Sequence, residues 1–124
     1  MNDRPKRILL VDDDESILES TQMALVDRGY DVFLARDGSE ALVRAELDAP
    51  DLIVLDIVMP KRSGFAVLEK LRSRHGRSHR IIVVPGYADA RHQEIAKSQG
   101  ADAFVRKPFD IDDLLTQIES LIGD

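Results

Sequence analysis

Five short apolar runs constrain this chain more than any other feature. ILLV (8–11), DVFLA (31–35), LIVL (52–55), IIVV (81–84) and AFVR (103–106) are each of strand length. Most are continuous rather than alternating, the pattern of strands covered on both faces. Amphipathic stretches lie between them. Ile17, Leu18, Thr21 and Leu25 share one helical face, as do Ala41, Leu42 and Ala45, and Phe65, Leu68 and Leu71. A fourth stretch runs from about Ala90 to Ser98, and the last carries Leu114, Leu115, Ile118, Leu121 and Ile122. Gly29 and Gly100 stand where helix C-terminal caps belong, and Asp110 where an N-cap precedes the last helix. Five β–α pairs in order predict a doubly wound α/β fold: one parallel sheet, right-handed crossovers, helices on both faces. Such sheets bind ligands beyond the carboxyl ends of their strands. Function should therefore reside in the residues directly after each apolar run.

A chain of 124 residues fits one domain around one core. A net charge of −6 excludes a general nucleic-acid surface, which needs clustered cations. The absence of cysteine excludes disulfides, thiolate catalysis and Cys-ligated zinc. The apolar runs are far too short to span a membrane, and MNDRPKR lacks the apolar core of a signal peptide. A cytoplasmic protein with no membrane partner is expected.

Asp12-Asp13-Asp14-Glu15 comes after the first run, Asp56 ends the third, and Lys107-Pro108 comes after the fifth. The predicted fold brings these to one edge. Carboxylates gathered together repel unless a cation sits among them, and an all-oxygen set suits a hard ion such as Mg²⁺. A carboxylate can also be the nucleophile of phosphoryl transfer, with a metal and a lysine neutralising the transferred oxygens. Asp14 and Glu15 have a second reading as acids that complement a helix N-terminus. Enzyme readings fail on particular residues. A haloacid-dehalogenase-type phosphatase needs a second Asp where Val58 stands, a dinucleotide site needs a GxGxxG that is absent, and DDDES lacks the glycine and closing glutamate of an EF-hand.

ILLVDDDESI, DLIVLDIVMPKRSG and FVRKPF, in this order and spacing, resemble the receiver domain of a two-component response regulator over almost the whole chain. The resemblance implies a (βα)5 flavodoxin-like sheet of order 2-1-3-4-5, and a single receiver domain over 1–124 with no output domain. It implies that Asp56 accepts a phosphoryl group from a sensor histidine kinase or phosphotransfer protein. Asp12, Asp13, Asp56 and the Val58 carbonyl would hold Mg²⁺. Lys107 would pair with the phosphoryl group, the Lys107-Pro108 bond would be cis, and Pro60 and Gly64 would shape the loop after the acceptor. Beyond its own aspartyl phosphorylation and dephosphorylation, no enzyme activity is implied. Phe104 matches an aromatic residue that reports activation. A downstream partner would dock on the face of helix 4, strand 5 and helix 5, with the chain a monomer or weak homodimer.

One position departs from the family. Where it carries a Thr or Ser that bonds the phosphoryl group, this chain has Pro85, which offers neither hydroxyl nor N–H. The Gly86 N–H remains as a donor. Tyr87 is too long to replace a threonine, and Ser98 belongs to the next helix. Two readings stay open: a phosphorylatable receiver with an altered switch, or a pseudo-receiver that binds partners without phosphorylation. The basic run RSRHGRSHR (72–80) reads as a solvated loop with His75 and His79 exposed, or as a docking patch for an acidic partner.

Overall fold

The computed structural model describes residues 4–57, 64–76, 79–84, 90–106 and 109–123. Strands and helices alternate: β1 (Arg7–Val11), α1 (Glu15–Asp27), β2 (Asp31–Ala35), α2 (Gly38–Asp48), β3 (Leu52–Asp56), α3 (Gly64–His75), β4 (Arg80–Val84), α4 (Ala90–Ser98), β5 (Ala103–Phe104) and α5 (Ile111–Ile122). The five strands form one parallel sheet in the order β2-β1-β3-β4-β5, as expected.

The continuous apolar runs are explained by the two cores. Leu9, Val11, Ile53, Leu55, Ile81 and Val83 point to one face, where α2, α3 and α4 cover them. Their alternates Ile8, Leu10, Leu52, Val54, Ile82 and Val84 point to the other, under α1 and α5. A central strand with no wet face has no position left for a polar residue, so alternation disappears.

Helix ends obey their local chemistry. Asp14 caps α1, accepting from the backbone of Ser16 and Ile17 at 3.0 and 3.3 Å, and Asp110 caps α5 through Asp112 N at 2.9 Å. Gly29 at φ +96 and Gly100 at φ +97 turn the chain after α1 and α4. In each, a pair of backbone bonds returns to the last turn: Gly29 N and Tyr30 N to Val26 O and Leu25 O, Gly100 N and Ala101 N to Lys97 O and Ala96 O.

The fifth strand is shorter than its apolar run. Pairing with β4 covers Ala103 and Phe104, and Val105 N adds a bond to Val83 O at 3.0 Å.

The basic run is also corrected. Arg72 is folded into the end of α3, its side chain 12% exposed, and His79 is buried. His79 Nδ1 lies 2.7 Å from Pro50 O. A carbonyl only accepts, so Nδ1 carries the proton and Nε2 is left as a bare lone pair, buried and without a hydrogen-bond partner among the described residues. The His75 ring packs edge-on at 4.9 Å.

Burial, chiefly, holds the His79 pKa below its ordinary 6.5; the Pro50 bond opposes this, and His75 and Arg72 add to it. The unfolded chain therefore binds the proton first. The stability His79 contributes is present above about pH 6.5 and is lost as pH falls through the folded-state value. Urea midpoints should drop between pH 7 and 5.5, and the drop should shrink in His79→Gln. Equal drops in both proteins would remove His79 as the cause.

Candidate functional site

The register of the central strands builds the site. β1 and β3 pair in parallel with Val11 opposite Leu55. One step further along both strands, Asp12 stands beside Asp56 on the same face, because side chains in a strand repeat every two residues. Asp12 N extends the ladder to Ala35 O at 3.1 Å, and Asp56 is registered with Val84 of β4. Both carboxylates are therefore held on rigid backbone. They are 6% and 2% exposed, which isolated charges would not tolerate. Asp13 is exposed and completes the group: one carboxylate oxygen from each of Asp12, Asp13 and Asp56 lies within 4.8 Å of the others. Asp14 N donates to Asp12 Oδ1 at 2.9 Å and orients that carboxylate.

Three carboxylates on one small volume, all oxygen donors, fit a hard divalent cation that keeps part of its water shell. No nitrogen or sulfur ligand competes for a softer metal among these donors.

The remaining acids of the run are engaged elsewhere. Asp14 is the α1 cap described above. Glu15 is taken by Arg36, whose Nε and Nη2 donate to its two oxygens at 2.9 and 2.8 Å. That hydrogen-bonded fork holds the Glu15 carboxyl below its usual range. Of the two readings of this pair, neither acid joins the converging group.

Gly64 braces the end of β3 from behind. Its N–H donates to Ile57 O at 3.0 Å. A Cβ at this position would overlap Ile57 Cα and stand 2.5 Å from Asp56 O. Sequence reading placed Gly64 in the loop and missed this approach. It also passed over Arg36, although a cation directly after a strand at the acidic edge was a usable signal. Phe104 packs against the core on the α2–α4 side. Val58, Pro60, Pro85, Gly86, Tyr87, Lys107 and Pro108 lie outside the described residues.

The sequence profile of the response regulator receiver domain matches residues 8–119. The chain belongs to this family. Response regulator MprA of Mycolicibacterium vanbaalenii is 39% identical over 118 residues, which are 95% of this chain and 51% of that protein. Its counterpart in Mycobacterium leprae is 40% identical over 116 residues, 94% of this chain and 50% of that one. The chain thus spans about half the length of these relatives. A CheY-like receiver domain protein from Methanospirillum hungatei superposes with a TM-score of 0.90 at 37% identity, covering 94% of this chain and 93% of the other. Vibrio cholerae chemotaxis protein CheY4 gives 0.90 at 29% identity, over 96% and 100%. This receiver domain has the flavodoxin-like order of the family, and among its described residues no helix is long and apolar enough to cross a membrane.

Proposed function

We propose that Asp56 of this receiver accepts a phosphoryl group from the phosphohistidine of a sensor kinase or phosphotransfer protein. The observation that carries this reading is the meeting of Asp12, Asp13 and Asp56 oxygens within 4.8 Å on the ends of β1 and β3. An Asp56 oxygen attacks phosphorus as the P–N bond of the donor breaks. The electron pair leaves with the imidazole nitrogen, which takes a proton from solvent, and an acyl phosphate remains on Asp56. Burial of Asp56 excludes competing water from the attacking oxygen, and β3 fixes its direction. Asp12, Asp13 and Asp56, with the Val58 carbonyl, would hold Mg²⁺, which when bound neutralises charge on the transferred oxygens. Lys107 is assigned to those oxygens by family match, and the Gly86 N–H as the donor that remains beside Pro85.

Pro85 removes a hydroxyl donor to the phosphoryl group. A charge-assisted bond of that kind is worth about 1.5–3 kcal/mol, so the linked population shift shrinks by roughly tenfold or more. Output is assigned to the side of α4, β5 and α5. A groove of about 380 Å³ there, walled by Phe104 and Phe109 and edged by Arg106, Asp110 and Asp113, has the mixed character of a docking surface.

Incubation with acetyl phosphate and Mg²⁺ should add one phosphoryl mass to the wild type and none to Asp56→Asn, read by intact-protein mass spectrometry. No adduct, with a competent receiver labelled alongside, would transfer the assignment to a phosphorylation-independent binding module. With BeF₃⁻ bound, Pro85→Thr should show larger NMR shifts on β4, α4 and β5 than the wild type; equal shifts would clear Pro85 of any role in the switch.

A further inference from the structure

Five carboxylates belong to the ends of β1 and β3, namely Asp12, Asp13, Asp14, Glu15 and Asp56, yet only Asp12, Asp13 and Asp56 converge. Asp14 is spent on the α1 backbone. Glu15, the first residue of α1 and two residues from Asp13, is held by both nitrogens of the Arg36 fork. Arg36 is itself fixed at this edge. It comes directly after Ala35, whose carbonyl accepts the Asp12 N–H at 3.1 Å, and Glu40 Oε1 lies 3.7 Å from its Nη1. Both side chains of the fork are about half exposed, at 47% and 52%. An exposed pair of this kind adds little to folding stability. What it does fix is the direction of the Glu15 carboxylate, because a planar fork holds both oxygens at once.

We propose that Arg36 determines the cation specificity of the receiver site by withholding Glu15 and so limiting the site to three carboxylates. The proposal rests on the reading that Asp12, Asp13 and Asp56 hold a divalent cation. Mg²⁺ takes six ligands in a strict octahedron, keeps several waters and needs only one or two carboxylates. Ca²⁺ takes six to eight oxygens at longer distance in flexible geometry, and its affinity grows with the number of charged ligands. A fourth carboxylate at this edge would favour Ca²⁺ and compete with a phosphoryl oxygen for the open face of the ion. The fork keeps both oxygens of that carboxylate on Arg36.

Calorimetric titration of the folded domain with MgCl₂ and with CaCl₂ tests this without reference to phosphorylation. Arg36→Gln should tighten Ca²⁺ by about tenfold and Mg²⁺ by no more than about threefold, since one more oxygen ligand suits the larger ion. Loss of the arginine charge alone would tighten both ions by the same factor, so the ratio of the two affinities is the deciding quantity. Glu15→Gln with Arg36→Gln should return the ratio to that of the wild type. Arg36→Lys, which keeps the charge without the fork, should fall between. An unchanged ratio in Arg36→Gln, or a raised ratio that persists in the double variant, overturns the proposal. If the wild type takes up neither ion, the cation site itself is wrong, and the proposal falls with it at the first titration.

Discussion

Gly64→Ala is expected to lower both the melting temperature and the Mg²⁺ affinity, against the usual direction of such a change. Replacing glycine by alanine in a helix normally stabilises, by up to about 1 kcal/mol. Here the new methyl would meet Ile57 Cα and Asp56 O, which are backbone atoms and cannot rotate aside. They cannot retreat either, since Asp56 is registered with Val84 and Ile57 N donates to Val84 O at 3.1 Å. The start of α3 must move instead. That breaks the Gly64 N to Ile57 O bond and shifts Val67, Leu68 and Leu71, all buried against the sheet. Overpacking of this kind costs about 1–3 kcal/mol, and contact with fixed backbone puts it at the upper end. For a domain of this size the melting temperature should fall by roughly 10 °C. The strain falls on the peptide that carries Asp56, so Mg²⁺ should bind several-fold more weakly. Scanning calorimetry and a Mg²⁺ titration decide it. A melting temperature equal to or above that of the wild type would show that Gly64 has room.

What the sequence made legible is what local chemistry controls. Continuous apolar runs mark strands with two covered faces, so β1, β3 and β4 lie where the pattern puts them. Acids directly after such runs fall at one edge of a parallel sheet, and Asp12, Asp13 and Asp56 do converge. The features that sequence hid depend on a second segment. The fifth strand stops at Phe104, short of its apolar run, because a strand needs a paired neighbour as well as apolar residues. The fate of Glu15 depends on Arg36, 21 residues away and just past the end of β2. Gly64 looks like any loop glycine until the backbone of β3 is placed against it. RSRHGRSHR is the clearest failure. A run of charges with no apolar period looks solvated, because its pattern does not reveal that the end of α3 and two turns gather around one guanidinium.

That guanidinium carries the largest stability prediction. Arg72 donates Nε to Gly100 O at 2.9 Å, and Nη1 to His79 O at 2.7 Å and Gly76 O at 3.0 Å. Its Nη2 meets Asp102 Oδ2 at 2.8 Å, and the same oxygen accepts from Ile81 N at 2.8 Å. One side chain therefore ties the end of α3, the turn into β4 and the turn between α4 and β5. The pair is sheltered, with Arg72 and Asp102 side chains 12% and 9% exposed. Removing one partner of a buried pair costs about 3–5 kcal/mol, and Arg80 Nη1, 3.6 Å from Asp102 Oδ1, offsets part of the charge left behind, which puts the cost at the lower end. Arg72→Ala should lose about that much, a large part of the roughly 5–15 kcal/mol typical of a whole domain. Arg72→Lys should recover little, since an ammonium cannot serve three carbonyls and a carboxylate from one plane. Urea unfolding would show a lower midpoint with an unchanged slope; a loss below about 1 kcal/mol would mean that the cluster behaves like an exposed ion pair. Arg72→Met with Asp102→Asn separates the two jobs of the fork. The amide oxygen can still accept from Ile81 N while the sheltered Asp102 charge is removed, so a coupling of about 1–3 kcal/mol is expected. Strict additivity would instead assign the stability to the three carbonyls, and make Arg72 a cap on two turns rather than the partner of Asp102.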